Sequence, residues 1–95
     1  MSNTKALDDV IAERARQIQV EGWTVEHDDK HRSYELPHAA AAYAIVNVDS
    51  AKADRLWPFN SHWFKSGDHR RNCVKAAAML LAEIERIDRA QGPSE

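Results

Sequence analysis

Cysteine is almost missing from this chain: Cys73 is the only one, which excludes an intramolecular disulfide and any zinc site built from several thiolates. A reducing, cytoplasmic compartment is therefore expected. Excess charge of one sign is lacking too. Thirteen Lys and Arg stand against fifteen Asp and Glu, a formal net charge of -2, so no global field draws the protein to extended nucleic acid or anionic lipid. Any anion site must be local. With three glycines, all at expected helix boundaries, there is no glycine-rich phosphate loop. No stretch approaches the roughly 20 apolar residues that span a bilayer, and Met1 to Lys5 carries no apolar signal region, so neither secretion nor membrane insertion is expected. Strand signals are nearly absent, and no Asn-Gly or Asp-Gly pair sits between alternating apolar residues.

What is present reads as helix. The 95 residues make one domain near the lower end of the range in which a single core folds alone, so oligomerisation would be a natural supplement. Hydrophobic residues at 43% and charged residues at 29% predict an ordered fold. Asn3 or Thr4 can cap a first helix whose Leu7, Val10, Ile11, Ala15 and Ile18 form one stripe, and Gly22 can stop it. Pro37 suits the first turn of a second helix, whose run Ala39 to Ala42 lets another backbone approach closely. Asp68 can cap a third, with Val74, Ala77, Ala78, Leu81, Ile84 and Ile87 on one stripe up to Gly92-Pro93. Trp23 to Ser33 reads as an ordered loop, Asn47 to Ala53 is ambiguous, and Leu56 to Gly67 is a connection holding four of the seven aromatics. The expected architecture is all-α: a small bundle of three main helices, at about 4–21, 36–48 and 68–91, with ordered aromatic-rich loops, assembled as a homo-oligomer.

Candidate chemistry concentrates in the connections. In Glu26-His27-Asp28-Asp29-Lys30-His31, carboxylates and imidazoles could bind a divalent metal or move protons, while Asp28 or Asp29 could equally make the local backbone hydrogen bonds of a solvated turn. His27 and His31 have the i, i+4 spacing of zinc ligands only in a helix, and no third ligand completes a recognised pattern, so no metal ligand is assigned. In Lys65-Ser66-Gly67-Asp68-His69-Arg70-Arg71, cations crowd a helix start and oppose its macrodipole. Either a bound phosphate or carboxylate compensates, or Arg70 and Arg71 pair with the acidic Glu26–Asp29 loop. Trp23, Trp57, Phe59, Trp63 and Phe64 could wall a stacked nucleobase or plug the core. Combined, these parts predict a nucleotide-like anionic ligand, with Trp23, Trp57 or Trp63 on the base, Lys65, Arg70 and Arg71 on phosphate, and His27, Asp28 or Asp29 on ribose or base edges. No catalytic residue is assigned, since Cys73 falls inside the last helix beside its apolar stripe.

Several runs carry a family resemblance: Glu13-Arg14-Ala15-Arg16-Gln17-Ile18, then Glu21-Gly22-Trp23-Thr24 through Glu26-His27-Asp28-Asp29 to His31, Asp68-His69-Arg70-Arg71 through Val74-Lys75-Ala76-Ala77, and Ala82-Glu83-Ile84-Glu85-Arg86-Ile87-Asp88-Arg89. With Glu35-Leu36 and Trp57-Pro58 they cover most of the chain, which resembles a group of small phage and prophage accessory proteins. The resemblance implies an accessory protein in the host bacterial cytoplasm that sequesters a nucleotide-derived ligand of bacterial immunity, sponge-like, without turnover or cofactor. The chain is also similar to the MazG-type all-α nucleoside triphosphate pyrophosphohydrolases, which would imply magnesium held by carboxylates. Glu85-Arg86-Ile87-Asp88 fits their Glu-x-x-Asp helix, but no segment fits their Glu-Glu-x-x-Glu helix, and a solvated helix face also accounts for Glu85 and Asp88. A third reading is a protein–protein inhibitor of a host enzyme, with Trp57 to Phe64 as its exposed contact.

Overall fold

A computed structural model describes residues 2–92, and every regular element among them is helical. Helix α1 spans Lys5–Gln19, α2 Val25–Asp29, α3 Glu35–Ile45, α4 Ser50–Leu56 and α5 His69–Gln91, with a single 3-10 turn at Ser61–Trp63. The three long helices lie in the three stretches expected to be helical. Two shorter ones, α2 and α4, occupy the stretches read as an ordered loop and as ambiguous. Pro93, paired with Gly92 as a stop signal, lies outside the described residues.

Local chemistry explains the boundaries. The Thr4 hydroxyl accepts from the Leu7 N–H at 3.1 Å, and Asp68 accepts from the Arg71 N–H at 2.8 Å, each satisfying one of the unpaired donors at a helix start. Thr24 and Asp49 cap α2 and α4 in the same way. Gly92 ends α5 with φ 79°, a left-handed setting that costs glycine little, whereas α1 stops at Gln19 with Val20 as its cap and Gly22, with φ 76°, takes that setting in the loop beyond. Tyr34 adopts it as well, with φ 66°, immediately before α3. Pro37 falls in the first turn of α3, where its missing N–H would have had no intrahelical acceptor.

The core is an alanine seam sealed by aromatics. Ala39, Ala40, Ala42 and Tyr43 of α3 pack with Ala53 of α4 and with Ala76 and Met79 of α5, so the close approach expected of the alanine run is made within the chain. Trp57 closes the cluster, stacked on Phe64 at 4.8 Å and edge-on to Tyr43 and Phe59. Its indole N–H donates to the Asn60 carbonyl at 2.9 Å, so the buried polar tip is satisfied. Asn72, fully buried on α5, ties the preceding loop down: it accepts from the Gly67 N–H, and its amide donates to the Gly67 carbonyl and to the Asn47 side chain.

The orientation of α1 departs from its apolar pattern. Leu7, Ile11 and Ile18, expected to face the core, are 47%, 50% and 39% exposed, whereas Glu13 and Gln17 are 2% and 1% exposed. The polar face is inside because it carries an ion-pair network that bolts α1 to the other elements. Glu13 accepts two hydrogen bonds from Arg16 and one from Arg71, while Arg14 donates to Asp28 of α2 and to Glu85 of α5, both at 3.0 Å. The neighbours Glu13 and Arg14 thus reach residues about four turns, roughly 21 Å, apart on α5. On α5, Leu80, Ile84 and Ile87 are likewise exposed, although Ile84 and Ile87 belong to the stripe expected to be buried.

Candidate functional site

Of two cavities of similar size, the aromatic-walled one, called the principal cavity below, has a volume of about 400 Å³ and opens where α2, the start of α3 and the 3-10 turn meet. Trp23, Phe59 and Trp63 supply aromatic walls, His27, His31 and Asn60 supply polar edges, and Glu21 and Leu36 complete the lining. The wall is ordered by ring contacts. Trp23 and His27 stack with planes 1° apart and centroids at 5.8 Å, His31 stands edge-on to His27 at 4.6 Å, and Phe59 stands edge-on to His31 at 5.1 Å. Trp63 is half-exposed at the mouth, with the Lys65 ammonium 5.5 Å from its ring centroid and 3.4 Å from Glu21.

Helix α2 makes this arrangement possible. His27 lies in its single turn and His31 just past the Lys30 cap, where its N–H still bonds the Asp28 carbonyl at 3.0 Å, so the two rings come within contact of each other. Asp28 is fully buried between them and α1; one carboxylate oxygen accepts from Arg14, and the other accepts from His27 Nδ1 at 3.1 Å. His31 Nδ1 faces Glu35 at 3.6 Å. The Glu35 carboxyl is held below its ordinary range by its own backbone N–H and, next, by that of Ser33. The two Nε2 atoms stand 3.3 Å apart, joined by a hydrogen bond from one imidazole to the other.

The fold gathers some predicted ligand residues and separates others. Trp23, His27, Trp63 and Lys65 meet at the principal cavity or its rim. Trp57 is instead part of the core seal, and Asp28 is interior and fully engaged. Asp29 turns outward to Arg89 of α5, at 2.8 Å. Arg70 and Arg71 line a second cavity of about 410 Å³ against α1, where Arg70 bonds Asp9 at 2.8 Å and Arg71 bonds Glu13. The cations that crowd the start of α5 are therefore compensated by α1, and not by the Glu26–Asp29 loop. Arg16, Arg70 and Arg71 there face Asp9, Glu13 and Asp68, so the formal charges balance. Hydrogen bonds from Arg70, and next from Lys5, hold the Asp9 carboxyl below its ordinary range.

Glu21, His31, Phe59 and Asn60 were not in the predicted ligand set, although His31 and Phe59 stood in the runs singled out. The i, i+4 histidine spacing was the one available signal for His31, and it needed α2 to become usable. Of the aromatics read as an exposed contact, Phe59 and Phe64 are partly buried against the core and Trp57 is buried, leaving Trp63 as the half-exposed member. Glu85, from the Glu-x-x-Asp spacing, is bonded to Arg14, and among the described residues no group of three or more His, Cys, Asp or Glu is placed to hold a metal ion. No helix among them is long and apolar enough to cross a membrane. No protein-family model matches the chain, and neither a curated protein nor a solved structure matches it.

Proposed function

We propose that the protein is a phage-type accessory protein that binds and sequesters a nucleotide-derived anion in the principal cavity without turning it over. The observation that carries this reading is the lining. Three aromatic side chains and two clamped imidazoles surround a volume of about 400 Å³, suited to a nucleobase, while Asn60 and Glu21 offer polar atoms to base or ribose edges. Lys65, at the rim over Trp63, is the cation nearest to where a phosphate would leave the cavity. Arg70 and Arg71, already paired to α1, are no longer needed for that role.

Calorimetry against a panel of nucleoside mono- and triphosphates and cyclic dinucleotides tests it. Loss of one stacking partner is worth about 1–3 kcal/mol, so Trp23→Ala should weaken the best ligand by roughly 5- to 150-fold. Lys65→Ala should weaken it less and flatten its salt dependence. Ligand recovered after prolonged incubation should be intact. An unchanged affinity in Trp23→Ala, together with a loss in Arg70→Ala/Arg71→Ala, would move the site to the second cavity and sink this assignment.

Two copies would also pair, through the stripes that α1 and α5 leave uncovered. Leu7, Ile11 and Ile18 on α1 lie four and seven residues apart, and Leu80, Ile84 and Ile87 on α5 four and three, so each helix presents its exposed aliphatics along one stripe. A second copy supplies the same two stripes.

A further inference from the structure

We infer that the nucleotide of the principal cavity carries guanine, with the Glu21 carboxylate accepting from its N1–H and N2 amino group and the Asn60 amide donating to its O6, an inference that rests on the nucleotide reading itself. Most polar atoms of the lining are already engaged. His27 holds Asp28 through Nδ1 and His31 through Nε2, and His31 turns its own Nδ1 to Glu35 at 3.6 Å, so each ring nitrogen already faces a protein group. The imidazoles brace the wall and leave the base edge to others. Asn60 is engaged in part: its side-chain oxygen accepts from the His62 N–H at 2.8 Å, and its backbone carbonyl accepts from the Trp57 indole. Because a backbone N–H needs the amide oxygen, the amide nitrogen is the end left over, with two N–H groups and no partner among the described residues. Glu21 is the remaining group. Lys65 donates to its Oε1 at 3.4 Å and Arg16 stands 3.9 Å from the same atom, while its Oε2 has no partner among the described residues. The side chain is 14% exposed, so little water reaches that carboxylate and donors from a ligand count for more.

The cavity therefore offers a carboxylate and an amide donor between aromatic walls, and the bases answer that pair differently. Guanine sets two donors side by side, N1–H and the N2 amino group, which suit the two oxygens of a carboxylate, and next to them O6, an acceptor for an amide N–H. Adenine and cytosine each set an amino group beside a bare ring nitrogen, so one oxygen of Glu21 would meet a lone pair. Uracil and thymine place a single N–H between two carbonyls, with the same result. An acceptor forced against an acceptor in a poorly hydrated site costs more than a missing bond, which turns the match into discrimination. The charge of Glu21 does not bar a phosphate-bearing ligand, since Lys65 and Arg16 already oppose it from within hydrogen-bonding or ion-pair range.

The test is calorimetry of the full chain with guanine, hypoxanthine and adenine nucleotides compared in the same phosphate form. The guanine nucleotide should bind about 10- to 100-fold tighter than the adenine one, with hypoxanthine, which keeps N1–H and O6 but lacks the amino group, between them. Glu21→Gln replaces the two acceptors by one acceptor and one donor, the complement of the adenine edge. It should weaken guanine binding about tenfold or more and strengthen adenine binding, so that the gap narrows or reverses. A reversed preference is not the product of a folding defect, and circular dichroism of the variant checks the fold independently. Asn60→Asp keeps the oxygen that accepts from His62 but sets a carboxylate against O6, so it should weaken the guanine and hypoxanthine nucleotides more than the adenine one. Equal affinity for the three bases, or an order that Glu21→Gln leaves unchanged, overturns the guanine assignment while the nucleotide reading stands. If no nucleotide binds in any phosphate form, both fall.

Discussion

Arg14 links three helices from the interior, bonding Asp28 of α2 and Glu85 of α5 from its place on α1. Its side chain is 8% exposed, its partner Asp28 is 0% exposed, and its second carboxylate partner, Glu85, is half-exposed. Buried pairs of this kind add little net stability compared with an apolar pair, but removing one member strands the other charge, at about 3–5 kcal/mol. Asp28→Ala should therefore lower the folding free energy by about that amount, measured from the urea midpoint. It should also free His27 Nδ1, so a change in His27 orientation is expected beside the loss of stability. Glu13 makes a prediction of the opposite kind. Burial pushes its carboxyl upward, but hydrogen bonds and charge from Arg16, and then from Arg71, outweigh burial and hold it below its ordinary value of 4.5. A carboxylate lowered in the folded state contributes stability that is present above 4.5 and is lost as pH falls through its folded value. The urea midpoint should thus drop on acidification below about pH 4.5, and Glu13→Gln, already weaker at neutral pH, should show a shallower fall.

At the scale of the element, what the sequence could reveal depended on length. The 15 residues of α1 and the 23 of α5 show several repeats of a stripe and carry caps at Thr4 and Asp68, so their existence and ends could be read directly. Five residues of α2 and seven of α4 are too few to display a helical period, and these two helices rest on single caps and on burial of Asp28 and Ala53. Periodicity also locates an apolar face without saying what it meets. On α1 the face turned outward, since the arginines that satisfy Glu13, and the carboxylates that satisfy Arg14, come from segments far along the chain. The site was readable to the same degree. Trp23, His27, Trp63 and Lys65 were identifiable by residue type, but separating them from Arg70 and Arg71 required knowing that α1 would claim those arginines first.

The whole molecule is flattened, 43 × 36 × 23 Å, with a radius of gyration of 13.6 Å against about 12–13 Å for a close-packed chain of this length. Its 6251 Å² of accessible surface exceeds the roughly 5500 Å² expected of a monomer of 10.8 kDa. Both departures describe a chain that leaves more of its surface accessible than its length requires. Light scattering should show more than one copy per particle, and Ile11→Glu with Ile84→Glu should yield monomers that melt earlier. A monomeric wild-type chain would remove the pairing proposal. The outward stripe on α1 also bears on dosage. Under the proposed pairing, a protomer with Leu7, Ile11 and Ile18 outside would draw part of its cohesion from mass action, and its fold would strengthen as copies accumulate. Capacity to hold a ligand would then climb faster than copy number, low during early synthesis and steep once the chain is abundant.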